Sequence, residues 1–402
     1  MQSLNDHLGT APLGEGQKVL ALTFMHGSRR RLEERLGQLQ ALRGRTDCST
    51  IDSFAWRLVR RWTSLAAALG FADVDPNQYE RVCDAAGSLL QIKEVCGWVA
   101  ATFPVLLVDE AQDMTANRLR IVEGLAIRLE VFAAADEFQC LQEELRPNPA
   151  CAWLAQVCPV KELTKPRRTN IAELLSAAAA IRNGEPPKSE KAFMVALTSK
   201  PQLAGAWLNG NLQWYGGGKS VAVITPTLRG FAQSALTWAA QNKTKKGSGP
   251  YTIQWEASEA NAAASFIEKI ALQDVNSVAF VLDLVAAQGD FRVTRDLAEW
   301  MDKQRRALGT ILFSKGEIEN AINQGFTQRR RSQKSDERGW RGMTVHGAKN
   351  REFENVILLW PAATGGSDDQ RRRLLYNSVT RAKERCLVLI QAKASLERAP
   401  FA

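Results

Sequence analysis

The chain has 402 residues, 45% hydrophobic and 24% charged, with 52 Lys+Arg against 43 Asp+Glu and a formal net charge of +9. That length exceeds one ordinary core and points to two or three domains, and the composition is that of a soluble globular protein. The positive excess suits a polyanionic partner without requiring one. Seven cysteines, none spaced as CxxC, argue against a zinc finger and read as reduced thiols. No apolar run approaches the roughly 18 residues of a membrane span, and the opening MQSLNDHLGTAPLGEGQ lacks a signal-peptide pattern. A cytoplasmic location with no membrane contact is expected.

In chain order, MQSLNDHL puts Met1, Leu4 and Leu8 on one helical face. VLALTF (19–24) reads as a buried strand, followed by a helix whose Leu32, Leu36 and Leu39 form a stripe. VLLVDE (105–110) and VFAAAD (131–136) are two further strands, with Leu119, Val122 and Leu125 striping the helix between them. VAVITP (221–226), NVILLW (355–360) and CLVLI (386–390) complete the set. Continuous apolar strands separated by helices predict an α/β fold with parallel sheets buried on both faces. The polar stretch 241–250 and the charged stretch 328–342 bracket a mainly helical segment of about 80 residues, read as an insertion.

The sharpest chemical feature is VLLVDEAQD, Val105 to Asp113. Adjacent carboxylates at a strand end suit a nucleotide hydrolase, one binding Mg²⁺ and the next orienting the attacking water; capping of the next helix by Asp109 and Glu110 is the plainer alternative. Asp136 and Gln139 follow another strand, as a γ-phosphate sensor or as a solvated loop. In RRRLLYNSVTRAKERCLVLI, Ser378, Arg381 and Arg385 are expected on one helix face, with Leu375, Val379 and Ala382 on the buried one. Arg381 there is a candidate arginine finger, while Arg371, Arg372 and Arg373 read as a solvated basic face.

The order and spacing of these segments resemble the UvrD/Rep/PcrA-type superfamily 1 DNA helicases. LALTFMHGSRRRLEERL (20–36) resembles motif Ia and STIDSFAWRLVRR (49–61) the DNA-contact motif after it. VDEAQD resembles motif II, ADEFQ motif III and LTKPRRT (163–169) motif IV. MTVHGAKNREFENVILLWP (343–361) resembles motif V, and LLYNSVTRAKER (374–385) motif VI. The resemblance covers nearly the whole chain and implies a helicase core of two RecA-like, P-loop NTPase domains, each with a small helical insertion. The expected boundaries are 1–158 for the first domain, with an insertion at about 63–103; 159–240 and 340–402 for the second; and 241–339 for the helical insertion.

The implied activity is an ATP-dependent, 3′→5′ translocase or helicase on single-stranded and duplex DNA, with DNA repair as the family's setting. ATP and Mg²⁺ are the implied ligands. Asp109 would bind Mg²⁺, Glu110 would activate water, and Gln139 and Arg168 would touch the γ-phosphate. Arg167 stands where the family places an aromatic on adenine, Glu352 would reach the ribose, and Arg381 would be the finger. Thr23, Phe24, Thr50, Ser53, Phe54, Thr344 and His346 match positions lining the single-strand channel. For Phe54, a core role on the helix that bears Leu58 is the open alternative.

The pattern departs from the family where it matters most: no GxxxxGK[ST] precedes Leu20. GGGKS at 216–220 is no substitute, because the first Gly would fall at Gln213 and a strand, not a helix, is expected after it. The expectation is that a strand and P-loop of roughly two dozen residues lie upstream of a misassigned start, or that the chain is truncated. A second departure is Asn350, where motif V carries Gly. The alternative function is a non-hydrolysing DNA-binding or assembly module.

Overall fold

The computed structural model describes the backbone of residues 1–402 except 25, 77, 164–165, 257–258 and 333–338; at 26–28, 259–261, 307–308, 324 and 327–332 it describes backbone alone. Parts of motifs Ia and IV, and of the charged stretch 328–342, therefore lie outside the described residues.

The first sheet holds β1 (Val19–Thr23), β2 (Thr46–Thr50), β3 (Val105–Val108) and β4 (Glu130–Ala133). Its order is β2-β1-β3-β4 and every pairing is parallel. Side chains alternate between faces. Val19, Ala21, Val105 and Leu107 pack with Leu4 and Leu8 of the first helix (Gln2–Thr10) and with Leu32 and Leu36. Leu20, Leu22, Leu106 and Val108 meet helices Ile51–Arg61, Tyr79–Leu90 and Ala116–Ala126 on the other face. The helices within 63–103 thus share the core of this sheet. β4 is an edge strand with Glu130 and Ala133 exposed.

The second sheet holds β5 (Phe193–Leu197), β6 (Ser220–Thr225), β7 (Gln254–Trp255), β10 (Gly339–Thr344), β11 (Phe353–Trp360) and β12 (Ala382–Ile390). Its order is β5-β12-β11-β6-β10-β7, again all parallel. Helices Ala172–Asn183 and Asp368–Val379 cover one face, and Pro201–Tyr215 and Phe231–Gln241 the other. Helices Glu259–Ile267, Val278–Ala286, Phe291–Leu308 and Lys315–Ser332 pack round their own core, with an antiparallel pair of β8 (Val275–Ser277) and β9 (Leu312–Ser314). The parallel α/β class agrees with the sequence pattern, and the six strand runs fall three to each sheet.

Three expectations need correction. Residues 241–256 do not open the helical insertion: Gln254–Trp255 pairs with β10, and Tyr251 and Ile253 pack in the second sheet's core. Ser378, Arg381 and Arg385 do not share a helix face. The helix ends at Val379, Arg381 lies in the turn, and Arg385 sits in β12 with its guanidinium 4.2 Å from the Trp214 ring centroid. The run CLVLI extends its strand back to Ala382, because Phe353 pairs with Ala382 and Asn355 with Arg385. Nor do Arg371 and Arg373 form a solvated face. Both side chains are largely covered, pairing with Asp368 and Asp369, and Arg373 donates to Glu137 O.

Ser220, the end of GGGKS, begins β6, so a strand follows that glycine run as expected. Among the described residues no helix is long and apolar enough to cross a membrane.

Candidate active site

Parallel strands end together, so the residues that follow them gather along one carboxyl edge. At the end of β3 this edge carries Asp109, whose backbone N–H donates to Leu22 O at 3.0 Å. Glu110 comes next, with φ of 58°. A non-glycine residue in the left-handed region costs energy and persists where its surroundings hold it. Here Ala111 N–H donates to Ala134 O at 2.9 Å, and Gln112 Nε2 donates to Glu110 Oε2 at 2.5 Å. Burial raises both carboxyl pKa values, and the neighbouring Asp109 charge raises Glu110 further. Among the described residues Asp109 makes no salt bridge, so a desolvated carboxylate pair has capacity for a divalent cation.

Gln112 is fully buried and ties this turn to the next. Its Oε1 accepts from Asp136 N at 3.0 Å, and its own carbonyl accepts from Asn148 Nδ2 at 2.7 Å. Asp136 caps the short turn Glu137–Gln139 and accepts from Gln139 Nε2 at 2.7 Å. This anchoring orients the Gln139 carboxamide so that its oxygen faces the second sheet's residues.

From that side comes Arg381, only 1% exposed. Its Nε donates to Asn377 O at 3.0 Å, and its Nη2 donates to Gln139 Oε1 at 3.2 Å. Burial, then the positive charge of Arg168, depress its pKa to about 9, opposed by the Glu110 and Glu352 carboxylates; it stays protonated at neutral pH. Arg168 donates from Nε to Glu352 Oε1 at 3.0 Å and from Nη1 to Thr380 O at 2.5 Å. Burial alone would raise the Glu352 carboxyl, but Arg168 and Lys383 outweigh it and hold the pKa down at about 2. Arg167 is exposed. Two more contacts cross between the sheets. Lys349 Nζ meets both oxygens of Asp113 at 2.7 and 2.8 Å, and Arg31 donates to Asn350 O. Asn350 has φ of 59°, in the left-handed region that Asn and Gly adopt most readily.

Glu110, Gln139, Arg168, Glu352 and Arg381 thus converge, with Asp109 beside Glu110. The expected DNA residues lie elsewhere along the carboxyl edges. Thr23 and Thr50 are register neighbours at the ends of β1 and β2. Among the described residues Thr23 Oγ1 is buried without a hydrogen-bond partner, while Thr50 caps its helix, accepting from Ser53 N and donating to Ser53 Oγ at 2.7 Å. Phe24 is half-buried against the first core. Thr344 ends β10 and accepts from Gly347 N, and His346 is exposed beyond it.

Phe54 is a correction. It is 4% exposed within the core cluster that includes Leu58, so it offers no face on which a base could stack. Residue-by-residue reading also missed Gln112, Lys349, Asn377 and Arg182. Lys349, Gln112 and Asn377 sat inside quoted motifs; nothing local marks Arg182, whose partners Asp136 and Tyr376 are distant in sequence.

Two parallel-sheet α/β units, consistent with RecA-like domains, carry a carboxylate pair on one side and a buried arginine from the other. Residues 341–389 match the family model of the UvrD-like helicase C-terminal domain. The chain is related to the UvrD-type helicases through this segment, which runs from β10 through the Arg381 turn into β12. No curated protein matches the chain.

Proposed function

We propose that this chain is the motor core of a UvrD-type helicase that couples ATP hydrolysis to 3′→5′ movement on single-stranded DNA. The observation that supports it best is the convergence of Arg381 and Gln139 opposite Asp109 and Glu110. Asp109 is the residue that would hold Mg²⁺, which when bound offsets charge building on the phosphate oxygens. Glu110, held in place by Gln112, orients the attacking water and takes its proton; the desolvation that raises its pKa makes it a better base. Arg381 supplies a fork of donors to the transferring phosphoryl group, and Gln139 and Arg168 contact the γ-phosphate. Glu352 accepts from the ribose once Arg168 turns toward phosphate, and Arg167 stacks on the adenine ring. Phe24, Ser53, Thr344 and His346 line the path of the strand, whereas Thr23 and Thr50, 0% and 2% exposed, are buried like Phe54 and support the strand ends beneath it.

A second reading rests on one observation: residues 1–402 contain no GxxxxGK[ST] leading into a helix. Such a polypeptide lacks the amide cradle that holds a triphosphate, which favours a DNA-binding or assembly module that does not turn over ATP. The test is to titrate the chain with single-stranded DNA across a salt series and, separately, with Mg·ATPγS in the presence and absence of DNA. Salt-sensitive DNA binding together with DNA-linked nucleotide binding supports the motor reading. DNA binding without nucleotide binding favours the second, and loss of both sinks the two together.

A further inference from the structure

Asp136 accepts four hydrogen bonds at its carboxylate, and two of them come from one side chain outside the motifs. Arg182, on the helix Ala172–Asn183, reaches Asp136 Oδ1 with Nη2 at 2.9 Å and Oδ2 with Nη1 at 3.1 Å. The other two come from Phe138 N at 3.2 Å and Gln139 Nε2 at 2.7 Å. Arg182 also donates to the Tyr376 hydroxyl at 3.1 Å and lies 5.6 and 5.7 Å from the Phe138 and Tyr376 ring centroids. Those two rings meet edge to face at 5.0 Å. Asp136 follows β4 of the first sheet, whereas Arg182 and Tyr376 belong to helices covering the second.

An exposed ion pair contributes little by itself, and the Arg182 side chain is 47% exposed. Two features set this pair apart: it is bidentate, and both ends are held, by the rings on one side and by the Asp136–Gln139 turn on the other. The consequence lies in the amide of Gln139. Its nitrogen is committed to Asp136 and its oxygen to Arg381 Nη2, so the carboxylate sets which end of the amide faces the arginine. Through Gln112, which binds both Asp136 N and Glu110 Oε2, the same turn touches the carboxylate pair.

We propose that Arg182 is a positioning residue that clamps the Asp136–Gln139 turn of the first unit to the second, and so keeps Gln139 in register with Arg381 and, through Gln112, with Glu110. Its use in sensing the γ-phosphate rests on the ATP-site reading above; the clamp itself does not. A double-mutant cycle measures the coupling that spatial adjacency alone does not establish.

The experiment uses the full chain as Arg182→Gln, Asp136→Asn and the double variant. Amide hydrogen exchange is followed at residues 137–140 and, as a reference, along β3 and β11, without nucleotide. Each single variant should raise exchange at 137–140 by about tenfold, and the double variant should add nothing further. The reference strands and the melting transition should barely move. Acceleration everywhere alike, additive single effects, or no change at 137–140 overturns the clamp; a merely structural Arg182 would give the first. In parallel, ATPγS and ADP are titrated. Arg182→Gln should lose about tenfold of any preference for ATPγS over ADP, since only the former carries the γ-phosphate Gln139 would sense. If the unmodified chain binds neither nucleotide, the ATP-site reading fails while the exchange cycle still decides the clamp.

Discussion

Arg381 reaches Gln139 across the cleft, Nη2 to Oε1 at 3.2 Å, although the two residues are 242 positions apart in sequence. A guanidinium desolvated to this degree is costly unless its donors are used, and here Asn377 O, Gln139 and Thr380 take them. Arg381→Ala in a version supplied with a P-loop segment should lower DNA-stimulated ATP turnover by about 10³-fold or more, with a much smaller change in nucleotide affinity. Steady-state turnover alongside equilibrium nucleotide titration checks it; near-normal turnover would remove the finger role.

Glu110 carries a prediction of opposite sign for stability and activity. Its pKa is raised by burial and by Asp109, so the folded protein binds more protons than the unfolded chain just above the ordinary carboxylate range. Ionised Glu110 therefore costs stability at neutral pH. Glu110→Gln should abolish turnover, spare nucleotide binding and raise the melting temperature at pH 7. That gain should shrink as pH falls toward 4.5. Melting curves across this range decide it, and a lower melting temperature at pH 7 would contradict the assignment of a desolvated carboxylate.

Glu352 should behave the other way. Its pKa is lowered from 4.5 to about 2 by Arg168 and Lys383, against burial. The stabilisation is fully present above pH 4.5 and is lost as pH falls through about 2. Glu352→Gln should lower stability by a near-constant amount above pH 4.5 and flatten the acid limb of a stability–pH profile. An unchanged acid limb would mean that the Arg168–Glu352–Lys383 cluster does not hold in solution.

Phe54 separates packing from recognition. Because its ring is buried with Ile51, Ala55 and Leu58, Phe54→Ala should destabilise the fold by about 3–5 kcal/mol. Single-strand DNA affinity, measured well below the melting transition, should stay within twofold or so of the parent. A selective loss of DNA binding at unchanged melting temperature would show that the ring is reached by a base after all.

What the sequence determined by itself is what short-range pattern encodes. Runs such as VLALTF, VLLVDE and NVILLW are apolar without interruption, which only a strand buried on both faces tolerates, and they appear as β1, β3 and β11. The carboxylates after VLLV needed no tertiary information to place at a strand end. β2 escaped notice because TDCST has almost no apolar content; its place comes from pairing with β1. Tertiary structure also decided that Arg381 lies in a turn rather than on a helix, because pairing with β11 draws Ala382–Ile390 into a strand. It decided that Phe54 is core and that Arg182 meets Asp136. Periodicity records which face of an element is buried, but not which distant residue will be found there. An ion pair such as Arg182–Asp136 exists only once two separately packed layers have brought its halves within reach.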